Sequence, residues 1–93
     1  MSLEKLYNGF QNPPRSCSQI PFWFLNGKVD GHEYVKQIEE MASQGVVQAM
    51  PHPRYGMDRR DYLSEKFWTA MGQLMRKASE SDFTIHLYDE FNW

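Results

Sequence analysis

Polar side chains that could bind or cleave a substrate stand directly after three short apolar runs of this 93-residue chain. The runs end in Asn26-Gly27-Lys28, in His52-Pro53-Arg54-Tyr55, and in Asp89-Glu90-Phe91-Asn92-Trp93. Carboxylates can exchange a proton or attack a carbon, histidine and arginine can hold the oxygens of a ligand, and tryptophan offers a flat apolar face. The opposite ends of the runs carry far fewer such groups, so the sequence indicates one candidate site.

The apolar runs are predicted as β-strands, and the segments between them as helices. Residues 21–26, 46–50 and 83–88 are short, rich in aromatic and β-branched residues, and bounded by turn formers. The capping box formed by Asp30 and Glu33 and an apolar stripe predict a helix over 31–44. Ser64 and a second stripe predict another helix to about residue 79.

Prolines divide the remaining segments. Pro51 and Pro53 are expected to stop the second strand, because proline has no N–H for a ladder. Residues 1–20 carry Pro13-Pro14 and little periodicity, so they are predicted as an irregular lead-in without helix or strand. Residues 55–63 are rich in charge and glycine and are predicted as an exposed loop.

The order strand, helix, strand, helix, strand predicts an α/β fold of three parallel strands with two crossover helices. Ligands of such folds bind at the carboxyl ends of the strands, where the polar groups lie. Three parallel strands alone would leave two bare edges and one uncovered face. We therefore expect either that the remaining strands belong to a longer protein or that the chain associates with itself.

Strand alternation assigns side chains to two faces of the sheet. Phe83, Ile85 and Leu87 are expected to pack under the helices, as are Val47 and Ala49. The other face is expected to carry Gln48, His52, His86, Tyr88 and Glu90. His52 and Glu90 would then converge at one end of the sheet, while Asp89 would diverge from Glu90.

Composition excludes several classes of function. The net charge is −2, from 10 basic and 12 acidic residues, and no basic stripe could follow a nucleic-acid backbone. No apolar run approaches the roughly 20 residues that span a bilayer. Cys17 is the single cysteine, which leaves no pair for a disulfide or a CxxC site. His52, His86 and Glu90 could in principle hold a metal, but their spacing matches no ligand signature, so neither metal nor cofactor is expected.

Structural readings of the same residues remain open. A strand histidine such as His86 is more often a hydrogen-bonded core group than a ligand. Asp89 could cap a turn. The arginines of the loop are expected to be solvated, with Arg54 as the exception because it follows His52 so closely.

Four segments in this order resemble the start of the catalytic barrel of glycoside hydrolase-like proteins, including the α-L-rhamnosidase-type group. The segments are PFWFLNGKVDGHEYVKQIEEMASQGV, MPHPRYG, YLSEKFW and IHLYDEFNW, and they cover most of residues 21–93. Their combination is more specific than any one of them. The resemblance implies that residues 21–93 are the first three strand units of a (β/α)₈ barrel, truncated after the third strand.

The resemblance also implies a function. It implies a carbohydrate substrate and a sugar pocket lined by Asn26, His52, Arg54, Asp89, Glu90 and Trp93. We expect Glu90 or Asp89 to serve in acid–base catalysis or substrate positioning, and Trp93 or Trp23 to stack on a sugar. Adjacent carboxylates on a strand point to opposite faces, so the chain alone is expected to be inactive. The alternative is a non-catalytic carbohydrate-binding or assembly module.

Overall fold

Three parallel strands, covered on one face by two helices, form the body of the molecule. The computed structural model describes residues 2–92. β2 pairs with β1 on one side and with β3 on the other, in parallel both times. The α/β class and the strand–helix order are therefore as the sequence predicts. The elements are α1 (Leu3–Gln11), β1 (Phe22–Leu25), α2 (Gly31–Ser43), β2 (Gln48–Pro53), α3 (Glu65–Glu80) and β3 (Thr84–Ile85), with 3₁₀ turns at Arg15–Cys17 and Arg59–Asp61.

α2 and α3 begin at the caps that the sequence predicts. The Asp30 carboxylate accepts hydrogen bonds from the backbone N–H groups of His32 and Glu33, and the Ser64 hydroxyl accepts one from Phe67 N–H. Both helices pack against each other and against one face of the sheet, which we call the helix face. The core between them includes Trp23, Leu25, Tyr34, Ile38, Ala49, Phe67, Ala70, Leu74, Ala78 and Phe83.

The prediction of an irregular lead-in is wrong for its first half, because α1 occupies Leu3–Gln11. The Ser2 hydroxyl caps this helix by accepting from Lys5 N–H. An apolar stripe follows at helical spacing, and Pro13 stops the helix as expected. The stripe consists of Leu3, Leu6, Tyr7 and Phe10, and the prediction of little periodicity in this segment overlooked it.

The prediction that prolines end the second strand is also wrong, since Pro51 and Pro53 lie within β2. The N–H groups of Met50 and Arg54 donate to β1, at the carbonyls of Pro21 and Leu25. Even-numbered residues of β2 therefore bond to β1, and odd-numbered residues face β3. The two prolines are odd-numbered, so they leave the β1 ladder complete.

The third strand is shorter than predicted because the prolines of β2 lack an N–H on the side that faces β3. β3 pairs with β2 only over Thr84–Ile85, and beyond that point Pro51 has no N–H to offer. Leu87, predicted to pack under the helices, is 78% exposed, because neither α2 nor α3 covers it. Among residues 2–92, no helix combines the length and the apolar character needed to cross a bilayer.

Replacement of Leu74 tests the core directly. Leu74 is fully buried between α3, α2 and the sheet, so Leu74→Ala leaves a cavity and should lower the free energy of unfolding by about 2–5 kcal/mol. Arg76→Ala, on the exposed side of α3, should change it by less than about 0.5 kcal/mol. Urea denaturation followed by circular dichroism measures both. Equal effects of the two changes would contradict this packing.

Candidate functional site

The segments that follow the three strands meet at one edge of the sheet, which we call the rim. Arg54 N–H donates to the Leu25 carbonyl at 3.2 Å, and Asn92 N–H donates to the Pro53 carbonyl at 2.8 Å. Gly56 approaches β1 so closely that a Cβ there would lie 2.2 Å from the Asn26 carbonyl oxygen. The structure therefore brings the exits of β1, β2 and β3 together, as parallel pairing requires.

His52 and Glu90 lie at this rim and are linked through Tyr88. The fully buried His52 ring stacks on Phe22, with ring centroids 4.5 Å apart, and meets Tyr88 edge-on at 4.2 Å. The Tyr88 hydroxyl donates to Glu90 Oε1 at 2.6 Å. His52 Nε2 also lies 3.4 Å from the Asn92 carbonyl oxygen. A buried imidazole thus positions the tyrosine that holds the carboxylate.

Arg54 and Phe24 form the neighbouring part of the rim. The Arg54 guanidinium carbon lies 4.5 Å from the centre of the Phe24 ring, a cation–π contact that fixes the positive charge beside β1. Phe24 and Phe22 are each 43% exposed on the sheet face opposite the helices, which we call the open face. The rim therefore combines a carboxylate, a guanidinium and accessible aromatic surface.

Two of the residues predicted for the site lie elsewhere. Trp23 is only 8% exposed, and its indole N–H donates to Gln37 Oε1 at 2.6 Å on the helix face. This burial argues against its predicted stacking on a sugar, because alternation along β1 turns Phe22 and Phe24, not Trp23, to the open face. Asp89 lines a groove beside α3. Because residues 89 and 90 lie beyond the end of β3, the divergence of Asp89 from Glu90 stays a prediction. Trp93 lies outside the described residues, and Asn26 is exposed at the rim.

The amino end of the open face is closed by a second polar cluster. Gln48 is 8% exposed, and its Nε2 lies 3.4–3.5 Å from the carbonyl oxygens of Arg15, Ser16 and Ser18. These carbonyls only accept, so the amide turns its oxygen toward His86, whose Nε2 donates to it at 3.0 Å. His86 is therefore a hydrogen-bonded structural group.

Sequence reasoning missed Phe22, Phe24 and Tyr88 as members of the site. Alternation could have found the two phenylalanines, because β1 shows a regular pattern of exposed and buried residues. Tyr88 was assigned to the correct face without a role. Its contacts with His52 and Glu90 depend on side-chain directions that sequence spacing does not give.

Two tyrosines at the rim, Tyr88 and Tyr62, have pKa values above the ordinary tyrosine value. The pKa of Tyr88 is raised, first because its hydroxyl donates to Glu90 and then by burial and the negative charge of Glu90. Burial, together with the charges of Asp89 and Glu90, raises the pKa of Tyr62. In the loop after β2, hydrogen bonds from Arg60 lower the pKa of Asp58 to about 2.

The donor set of the rim fits hydroxyl recognition better than metal ligation. In the part of the chain that the structure describes, no three His, Cys, Asp or Glu side chains cluster closely enough to hold a metal ion. Comparison with known proteins gives no match to a family model, to a curated protein or to a solved structure. The function of the rim must therefore be derived from its own chemistry.

The Tyr88–Glu90 hydrogen bond predicts a pH dependence. Because the pKa of Tyr88 is raised in the folded chain, the bond contributes below the ordinary tyrosine pKa of 10.0 and is lost as pH rises through the higher folded value. Glu90→Gln should lower the Tyr88 midpoint toward 10, since the carboxylate is gone. Phenolate absorbance, with the curve of Tyr88→Phe subtracted, measures this midpoint. An unchanged midpoint would contradict the hydrogen bond.

The position of Gly56 indicates that the loop after β2 contacts the end of β1, and a substitution there tests this contact. Its φ of +119° and its contact with Asn26 leave no room for a side chain, so Gly56→Ala should destabilise the fold by more than about 1 kcal/mol and shift the NMR signals of Asn26. Gly9→Ala is the control, because a Cβ there meets nothing within 4 Å and residue 9 is remote from Asn26 in sequence. Equal responses to both changes would mean that the loop after β2 does not close on β1.

Proposed function

We propose that residues 21–93 are the first three strand units of a (β/α)₈ barrel that acts on carbohydrate as a glycoside hydrolase. The observation that carries this proposal is the meeting of the three strand exits at one rim, where Tyr88 holds Glu90 beside Arg54 and Phe24. In this proposal the 93-residue chain supplies one wall of a sugar pocket, and further strands supply the other.

The polar character of the open face supports a barrel. A doubly wound sheet covers both faces with helices, so both faces need to be apolar. Here the helix face is apolar, whereas the open face holds the Gln48–His86 pair and the buried His52. A barrel turns such a face inward, where side chains of the other strands surround it. The resemblance of the four sequence segments favours the same architecture.

Each rim residue has a role that its chemistry supports. Glu90, with one oxygen engaged by Tyr88, serves as an acid, a base or an acceptor for sugar hydroxyls. Arg54 and Asn26 donate hydrogen bonds to sugar oxygens, and Phe24 packs against the apolar face of the ring. Asp89 lines the groove beside α3, so the second carboxylate, required about 5–9.5 Å away across the glycosidic bond, comes from another strand.

The position of Asp89 at the groove also favours a second candidate, a non-catalytic carbohydrate-binding module. Binding a sugar needs aromatic surface and a few polar groups, all of which the rim contains. It does not need two carboxylates that face each other. The two candidates differ in hydrolysis, which only the first predicts once the remaining strands are present.

Titration with soluble oligosaccharides tests the proposed pocket. The 93-residue chain should bind a sugar weakly, with a dissociation constant on the order of 1 mM, because it supplies half of a site. Phe24→Ala and Glu90→Gln should each weaken binding about tenfold or more, a loss of about 1.4 kcal/mol. Glu80→Gln, exposed at the end of α3 and far from the rim, is the matched control. NMR shift mapping reports both the affinity and the place of binding.

Hydrolysis assays with aryl glycosides distinguish the proposed glycoside hydrolase from the non-catalytic binding module. The 93-residue chain should leave them uncut, because it offers one carboxylate at the rim. Hydrolysis by this chain that survives Glu90→Gln would contradict the assigned roles. If no carbohydrate in a panel shifts the NMR signals of the rim residues, the proposed pocket is refuted.

A further inference from the structure

α1 is an amphipathic helix whose apolar stripe is exposed. None of its residues is buried, and the stripe is exposed to between 54% and 85% at Leu3, Leu6, Tyr7 and Phe10. A nine-residue helix gains too little from its own hydrogen bonds to persist alone in water. The radius of gyration is 15.6 Å, against about 12 Å for a compact chain of this length, because such an arm projects. The stripe therefore needs a partner.

The body carries an apolar groove that also lacks a cover. It has a volume of about 630 Å³ and runs between the first half of α3 and the chain after β3. Leu63, Trp68 and Leu87 are 51%, 58% and 78% exposed along it. A cluster of large exposed apolar side chains of this kind marks an interaction site.

The stripe and the groove match in spacing. Leu3, Leu6 and Phe10 stand at i, i+3 and i+7 of α1, and Trp68, Met71 and Met75 stand at i, i+3 and i+7 of α3. Gly72, in the middle of the groove wall, has nothing within 4 Å of where a Cβ would lie, which leaves room for a ring of the opposing helix. Two helices with matched ridges of this length can pack side by side.

We propose that two copies of the chain exchange their α1 arms, so that the stripe of each lies in the α3 groove of the other. The proposal uses the groove beside α3 and not the carbohydrate pocket on the open face. In the proposed barrel the helix that follows β3 would cover the same groove, so the exchange applies to the chain without that helix. Arg15 is bound to Asp82, at the end of α3 away from the groove. Pro13 and Pro14 join α1 to that anchor and stiffen it, so the arm resists folding back onto its own groove.

The area that such an exchange buries is sufficient for a dimer. Four large apolar side chains remove roughly 400 Å² of the helix surface from water, and the groove loses a similar area. Two arms bring the total to about 1,600 Å², the size of a standard stable interface. The exchange is reciprocal, so it closes at two copies and leaves no stripe free.

Cross-linking between distinguishable copies tests the exchange. In the Cys17→Ser background, one chain carries Leu6→Cys and a mass tag, and the other carries Met71→Cys. A short bismaleimide should join the two variants into a mixed dimer when they are combined. A chain that carries both cysteines and cross-links only within itself would overturn the proposal, because the arm would then occupy its own groove.

Two variants test the groove without disturbing the body. Gly72→Leu fills the groove from an exposed position and should raise the dissociation constant of the dimer at least tenfold in sedimentation equilibrium. Phe10→Asp should do the same from the arm side, while circular dichroism reports an intact body. Thr69→Leu, exposed on α3 outside the groove lining, is the matched control and should leave association unchanged. A monomer at all concentrations, or a dimer that both variants leave intact, would refute the exchange.

Discussion

Parallel pairing of β2 with both neighbours is the constraint on which the rest of this structure depends. Because β1 and β3 run in the direction of β2, their carboxyl ends reach the same edge, and the segments after them contact one another there. The same pairing directs alternate peptide groups of β2 to opposite sides. The missing N–H groups of Pro51 and Pro53 lie on the side of β2 that faces β3. The hydrogen bonds between β1 and β2 are therefore complete, whereas β3 pairs with β2 over two residues. The early end of β3 leaves Leu87 and Asp89 beside α3, and thereby opens the apolar groove.

The fold was predictable from the sequence to the extent that local signals agreed with the packing. The caps at Asp30 and Ser64 and the apolar stripes after them fixed α2 and α3 to within a residue or so. The rule that proline ends a strand failed at β2, because it ignores which side of the strand each N–H faces. α1 was missed because its stripe is short and precedes a proline pair. At the rim, alternation assigned His52 and Tyr88 to the same face, and their rings are in contact. The burial of Trp23 follows from the same alternation along β1, to which the sequence argument did not apply it.

The open face combines half-exposed aromatic rings with buried polar side chains. A buried imidazole and a buried amide are tolerated only when their polar atoms are hydrogen-bonded. Gln48 meets this requirement through His86 and the turn at residues 15–18, and His52 Nε2 lies 3.4 Å from the carbonyl oxygen of Asn92. Phe22 and Phe24 remain 43% exposed beside these groups. This mixture of rings and polar groups is the reason that we propose a barrel, because the interior of a closed sheet excludes bulk water yet accepts polar side chains.

Asp89 and Glu90 are adjacent carboxylates with different surroundings, and both lie beyond the end of β3. The Glu90 carboxylate accepts a hydrogen bond from Tyr88, whereas Asp89 lines the groove beside α3. The charges of both carboxylates raise the pKa of Tyr62. In the proposed glycoside hydrolase, Glu90 would act with a second carboxylate about 5–9.5 Å away across the glycosidic bond, and this requirement holds for either stereochemical course. The different surroundings of Asp89 are the reason that the proposal assigns this second carboxylate to another strand.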